Sequence, residues 1–329
     1  MQSALIYGRF LTRALISGVY NYSSSTEAAV NRKRERDFRL LAVACGFPKV
    51  SSRFSALLNR GRYGDDASFF ARYKTADVLG VADGVGGWRN YGIDPSRFSY
   101  TLMETCERLV VSGKFNPRNP GHLIAASYYE LKEHKEQIIG SSTACVVVLN
   151  RIDQMLYTAN IGDSGFLVMR KGHIVHRSEE QQHYFNTPFQ LSLAPANITG
   201  LVHSDSPDTA DTSSVPVEEG DLILLATDGL FDNLPESAIV KQLSSLRDHN
   251  LDTMQKMVNS LAFQAHRLAF DGNYLSPFSK RARENGINAM GGKPDDITVL
   301  LAAVTNLFGE NSDSIAAVVA QHTCSSDHG

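Results

Sequence analysis

Val78-Leu79-Gly80-Val81-Ala82-Asp83-Gly84 is a short apolar run that stops on an acid and a glycine. A run of this length, rich in β-branched residues and closed by turn residues, reads as a buried strand. The pattern recurs at residues 67–73, 144–149, 155–161, 165–169, 222–226 and 298–304. Residues 151–154 and Lys171-Gly172 fall where hairpin turns would join such runs, so the middle of the chain is expected to be an antiparallel meander. Helical periodicity is grouped rather than alternating. Asp94-Pro95 starts a helix with Pro at its first position, and Phe98, Leu102, Cys106 and Leu109 then recur until Gly113. Further helices are expected over 122–136, 236–246 and 252–270, the last with Met254, Met257, Val258, Leu261 and Ala265 on one face. Two helices, a block of strands, two more helices and a final strand make an α+β layered fold. Residues 205–214 read as a polar surface loop.

The bulk numbers narrow the function. The chain has 329 residues, is 43% hydrophobic and carries a formal net charge of -3. That balance argues against a nucleic-acid binder, which carries a large positive excess. No stretch approaches the roughly 20 uninterrupted apolar residues of a membrane-spanning helix. Cys45, Cys106, Cys145 and Cys324 are scattered without zinc spacing, which fits a reducing compartment and no disulfide framework.

The first 26 residues have a different character. Arg9 and Arg13 lie opposite Tyr7, Phe10, Leu11, Ala14 and Leu15 on a helical wheel, and no acid precedes Glu27. This is the pattern of a mitochondrial transit peptide, with a cytoplasmic protein and a plain tail as the alternative. Residues 1–40 are therefore expected to be leader and linker, 41–306 the folded domain and 307–329 a tail.

Acids gather where strand-like runs begin or end. Asp65-Asp66 precede the first run, Asp83 and Asp163 follow two others, Asp228 follows 222–226, and Asp295-Asp296 precede the last. One Asp-Gly pair is ordinarily a turn. Several acids at the ends of one sheet system need compensation, because unpaired buried charge is costly. Oxygen ligands without His or Cys favour hard cations, Mg2+ or Mn2+, over Zn2+.

The segments Gly64-Asp65-Asp66-Ala67, Val81-Ala82-Asp83-Gly84-Val85-Gly86-Gly87, Ala159-Asn160-Ile161-Gly162-Asp163-Ser164, Ala226-Thr227-Asp228-Gly229-Leu230-Phe231-Asp232-Asn233 and Pro294-Asp295-Asp296-Ile297-Thr298-Val299 occur in that order. Together they resemble the successive motifs of the type 2C, metal-dependent serine/threonine protein phosphatases. Residues 178–191, Trp88 and residues 101–110 are similar to the mitochondrial subgroup of phosphatase-two-C-seven homologues. The resemblance implies a four-layer sandwich, two central antiparallel sheets flanked by helices. It implies two Mn2+ or Mg2+ ions, with Asp83 bridging both, the Gly84 carbonyl on one, and Asp228 and Asp295 completing the other. Asp65 and Asp66 would act through water, and Asp163 would belong to a weaker third site. The implied reaction is hydrolysis of phosphoserine and phosphothreonine in phosphoprotein substrates by water activated between the two ions. The implied catalytic residues are thus Asp83 and Asp228. Two departures stand out. Val85 occupies the position where the family commonly has His, a proton donor to the leaving alcohol. The family's upstream phosphate-gripping Arg has Arg62 and Arg60 as candidates here, neither at the common spacing; Arg62 is taken as the phosphate-binding candidate.

Rival readings fare worse. Gly162-Asp163-Ser164-Gly165 matches a serine-protease nucleophile segment, but the earlier His122 and His134 lie in helix-like segments. Cys145 and Arg151 have tyrosine-phosphatase spacing, yet Val146-Val147-Val148-Leu149 between them reads as a buried strand rather than a phosphate loop. A nuclease would want a basic groove. A catalytically inactive phosphatase fold acting as a binding module would have lost a ligand, and Asp83, Asp228 and Asp295 are all present.

Overall fold

The computed structural model describes residues 37–49, 61–135, 137–195, 200 and 202–306. The leader reading (residues 1–26) and the tail expected over 307–329 lie outside the described residues. The strands are β1 Phe38–Phe47, β2 Arg62–Tyr63, β3 Asp66–Tyr73, β4 Ala76–Ala82, β5 Gly140–Ser142, β6 Ala144–Asn150, β7 Met155–Ile161 and β8 Gly165–Arg170. They continue with β9 His173–Arg177, β10 Gln182–Tyr184, β11 Thr187–Pro188, β12 Leu191–Leu193, β13 Asp211–Pro216, β14 Leu222–Ala226 and β15 Ile297–Asn306. The helices are α1 Ser96–Val111, α2 Pro120–Lys132, α3 Asp228–Phe231, α4 Glu236–Leu243, α5 Leu251–Ala269 and α6 Pro277–Glu284.

Two sheets carry the fold. One has the order β1-β15-β14-β8-β9 and the other β13-β7-β6-β4-β3-β2, with antiparallel neighbours throughout. Strands buried on both faces explain the near-continuous apolar runs in the sequence. Along β15, Leu300, Ala302 and Val304 turn toward the second sheet, where they meet Leu79, Val81, Cys145 and Val147. The alternate residues Val299, Leu301 and Ala303 turn outward onto Met254, Val258 and Leu261 of α5. The second sheet buries Ala144, Val146 and Val148 under Phe98, Leu102 and Cys106 of α1 and Leu123 and Ile124 of α2. The result is a helix–sheet–sheet–helix sandwich with three apolar layers, the expected α+β architecture. Caps set the helix starts: Asn119 accepts from the His122 N–H, and Asn250 from that of Thr253.

Several short elements, among them β2, β5 and β9–β12, are not expected from the sequence, and three further departures are instructive. The boundary placed after residue 40 falls inside β1, which follows a run of charges and takes its conformation from pairing with β15 along its whole length. Within the expected polar loop 205–214, Asp211 begins β13, an edge strand on β7 with alternating half-buried and exposed residues. Its polarity suits an edge, where one face and one row of backbone groups meet water. The short helix α6 carries too few apolar residues for periodicity to find it.

One buried polar strut links the sheets. Asp77 of β4 is fully buried and accepts the Leu40 N–H of β1 at 2.7 Å, while Arg72 of β3 donates to the Leu40 carbonyl and lies 3.4 Å from Asp77. Removing the Asp77 carboxylate strands both partners in the interior. Asp77→Ala is therefore expected to cost about 3–5 kcal/mol, read by urea denaturation; a loss under about 1 kcal/mol would refute the strut.

Candidate metal centre

Strand direction brings the acids together. β4 and β7 both run antiparallel to β6, so the segments after them, carrying Asp83 and Asp163, leave the second sheet at one end. Asp65 and Asp66 open β3, antiparallel to β4, and so reach that same end. In the facing sheet, Asp228 follows β14 and Asp295-Asp296 precede its antiparallel neighbour β15. Among the described residues, Asp83, Asp163 and Asp228 each place a carboxylate oxygen within 4.8 Å of the other two.

The backbone around them is held on all sides. The Asp83 N–H donates to Thr143 Oγ1 at 3.0 Å, and that hydroxyl shares a 2.7 Å hydrogen bond with Ser164, beside Asp163. Asp66 Oδ2 accepts from Thr227 and Thr298, both at 2.8 Å, which ties the second sheet to the first at the site itself. Asp296 accepts the N–H groups of Asp65 and Lys49. Gly229 packs so closely that a Cβ there would stand 2.0 Å from the Asp296 carbonyl oxygen. Gly64, with φ +68°, likewise lies against the Asp296 carboxylate. The glycines beside these acids are therefore close-approach positions as well as turns.

The charges are not balanced by the protein alone. Burial, followed by the neighbouring Asp228, pushes the Asp83 carboxyl well above its ordinary range. Burial and then Asp296 raise Asp65 to about 6, and burial and then Asp228 raise Asp295 to about 7. Asp228 goes the other way: burial opposes its ionisation, but Lys293 more than offsets that and leaves it lowered. At an effective dielectric near 20, two carboxylates at such spacing repel by on the order of 3 kcal/mol, more than one hydrogen bond returns. Asp66 Oδ1, Asp163 Oδ1 and Asp228 Oδ1 are buried and have no hydrogen-bond donor among the described residues. Converging, unsatisfied hard oxygens of this kind fit divalent cations.

The sequence-derived site is only partly reproduced as a cluster. Asp83 and Asp228 meet as expected, and Asp163, assigned to a weaker third site, stands with them. Asp295 lies at the flank, 3.4 Å from the Lys293 ammonium and 3.9 Å from that of Lys49. Gly84 is wedged against the Asp65 and Pro95 carbonyls, where any Cβ would collide. Arg62 is not brought to the cluster. Its guanidinium lies 4.5 Å from the Tyr100 ring centroid and pairs with Glu104, in a cleft lined by none of the metal-candidate aspartates. Sequence reasoning missed Arg89, which pairs with Asp65 while more than half exposed. It sits on the turn Gly86–Tyr91, anchored by the buried Trp88, whose indole N–H donates to Ser141 at 2.7 Å. It also missed Asp232 and Lys293, which touch each other and lie beside Asp228. Asp232 is one helical turn after Asp228, the i+4 spacing that would have pointed to it.

A carboxyl with a raised folded pKa favours the fold while protonated, and that contribution is lost as pH climbs from 3.8 through the folded value. Chelator-treated protein should therefore melt at lower temperature as pH rises from about 4 to about 7, and Mn2+ should restore the loss at the upper end. Calorimetric scans across the window check this; stability that rises with pH in chelator would contradict the charge inventory.

Comparison with known proteins agrees with this site. The family model described as Protein phosphatase 2C matches residues 56–266. The chain is 55% identical over 305 residues to the human Protein phosphatase PTC7 homolog, covering 92% of this chain and 98% of the relative. The zebrafish (Danio rerio) protein of the same name is 56% identical over the same length and shares. Among solved structures, the photosystem II phosphatase PBCP superposes with a TM-score of 0.68 at 28% identity, covering 82% of this chain and all of that one. A match across most of the sequence, on the fold and with the acids at one sheet end, identifies the chain as a member of the protein phosphatase 2C family of metal-dependent protein phosphatases.

Proposed function

We propose that this phosphatase acts on phosphoserine and phosphothreonine in proteins, with two divalent cations, Mn2+ or Mg2+, held chiefly by Asp83 and Asp228. The observation that carries the reading is the convergence of Asp83, Asp163 and Asp228 within 4.8 Å, with buried carboxylate oxygens left without donors. Family membership implies that Asp83, the Gly84 carbonyl, Asp228 and Asp295 would hold the ions, with Asp83 reaching the site from one sheet and Asp228 from the other. Bound there, the ions would neutralise the phosphate and supply an activated water at neutral pH. Arg89, rather than Arg62, is the side chain that would grip the phosphate from the protein side. It is a forked cation suited to phosphate, exposed, and tethered to Asp65 at the rim of the acids. Val85 offers no proton where the family commonly has His, and a metal-held water would take the place of that donor to the leaving alcohol. We place the enzyme in the mitochondrion on its first 26 residues, where arginines face an apolar stripe without acids.

Asp83→Asn and Asp228→Asn should each lower Mn2+-dependent turnover of a phosphothreonine peptide by at least about a hundredfold, while far-ultraviolet dichroism stays unchanged. In the same assay Arg89→Ala should raise KM about tenfold or more, and Arg62→Ala should not. Full turnover by either aspartate variant would overturn the metal assignment. Deleting residues 1–26 should abolish uptake by isolated mitochondria, and an imported truncated chain would remove the leader reading.

A further inference from the structure

The acid cluster has two unlike sides. Toward Asp83 and Asp163, the buried Asp163 Oδ1 and Asp228 Oδ1 have no donor among the described residues. On the other side, the Lys293 ammonium touches Asp228 Oδ2, lies 2.7 Å from Asp232 Oδ2 and 3.4 Å from Asp295 Oδ2. The ammonium thus donates to Asp228 and Asp232 and forms a longer ion pair with Asp295. Asp232 has its remaining oxygen taken by Arg281, which also grips Glu180 through two contacts of 2.9 Å. Neither oxygen of Asp232 is left open.

Lys293 is a built fixture. Its backbone N–H donates to Asn233 Oδ1 and its carbonyl accepts from Asn233 Nδ2, both at 2.9 Å, and Asn233 is fully buried. The preceding Gly292 is pressed against helix α5, where a Cβ would stand 2.0 Å from the Leu268 carbonyl oxygen. From outside, the Phe278 ring covers the ammonium at 5.4 Å.

We propose that Lys293 is the resident cation of Asp232 beside Asp228, standing where a further divalent ion would otherwise bind. The inference rests on the metal reading above and adds a limit to it: the tethered ammonium confines divalent ions to the Asp83 side and caps how many the site takes up. A covalently held charge supplies permanent neutralisation of Asp232, where a weakly held ion would come and go with its concentration.

The test counts ions on the full chain after chelator treatment and desalting. Free Mn2+ is followed by electron paramagnetic resonance and binding heats by calorimetry, at neutral pH. Lys293→Met is expected to bind one Mn2+ more than wild type, Lys293→Arg the wild-type number. Adding Asp232→Asn to Lys293→Met should remove the extra ion, because Asp232 supplies its ligand. An unchanged count in Lys293→Met, at whatever affinity, overturns the proposal. If that variant does not fold, Lys293→Gln, which keeps a hydrogen-bonding group without the charge, is read by the same criterion. A wild type that binds no Mn2+ at all is the separate result that would sink the underlying metal reading.

Discussion

Carboxylates collected at one end of two packed sheets repel one another and lose hydration, and the surrounding structure is organised around that cost. Taking one charge out of water costs several kcal/mol in a real protein, so each acid needs an answer. Three kinds are present. Hydroxyls answer Asp66 through Thr227 and Thr298, backbone N–H groups answer Asp296, and cations answer Asp65, Asp228 and Asp232. At this end of the sheets the buried oxygens left without a donor among the described residues belong to Asp66, Asp163 and Asp228, and Asp163 and Asp228 converge with Asp83. Such converging open oxygens leave room for an external cation.

The sandwich supplies the rigidity that such a cluster requires. Repelling groups stay close only if their backbones cannot relax, and here each acid leaves or enters a strand buried on both faces. The same hydrogen bonds that satisfy Asp66 also fasten one sheet to the other, so the site is a structural joint as well as a binding place. At other points of the sheet pair, Asp77 with the Leu40 N–H and Arg170 with the Pro216 carbonyl act as further polar fasteners. The Arg170 guanidinium meets both oxygens of the buried Asp221, at 2.8 and 2.7 Å, in the planar fork that suits a carboxylate.

Cations divide the site into regions of different use. Arg89 is more than half exposed at the rim, where it pairs with Asp65. Lys293 is enclosed and donates to Asp228 and Asp232 while paired with Asp295. The difference follows from their supports: a surface turn pinned by Trp88 for one, a buried asparagine clamp for the other.

Local chemistry made much of this legible in the chain itself. Seven strand cores and four helices follow from apolar periodicity, because burial on one or both faces leaves its spacing in the residues. Acids placed at strand ends announced a hard-cation site, and the ordered motifs around Asp83, Asp228 and Asp295 announced the family. Tertiary structure alone decided which of those acids meet. Asp163 joined Asp83 and Asp228 while Asp295 moved to the flank, because strand order and direction, which no local pattern encodes, set those distances. It also set Arg62 against Tyr100 and Glu104 and Arg89 against Asp65, on a turn held by a buried tryptophan. Lys293 reads in sequence as an ordinary charged loop residue. Only packing against Asn233 and helix α5 places its ammonium among three carboxylates, since a side chain's electrostatic role depends on distant partners rather than on its neighbours in the chain.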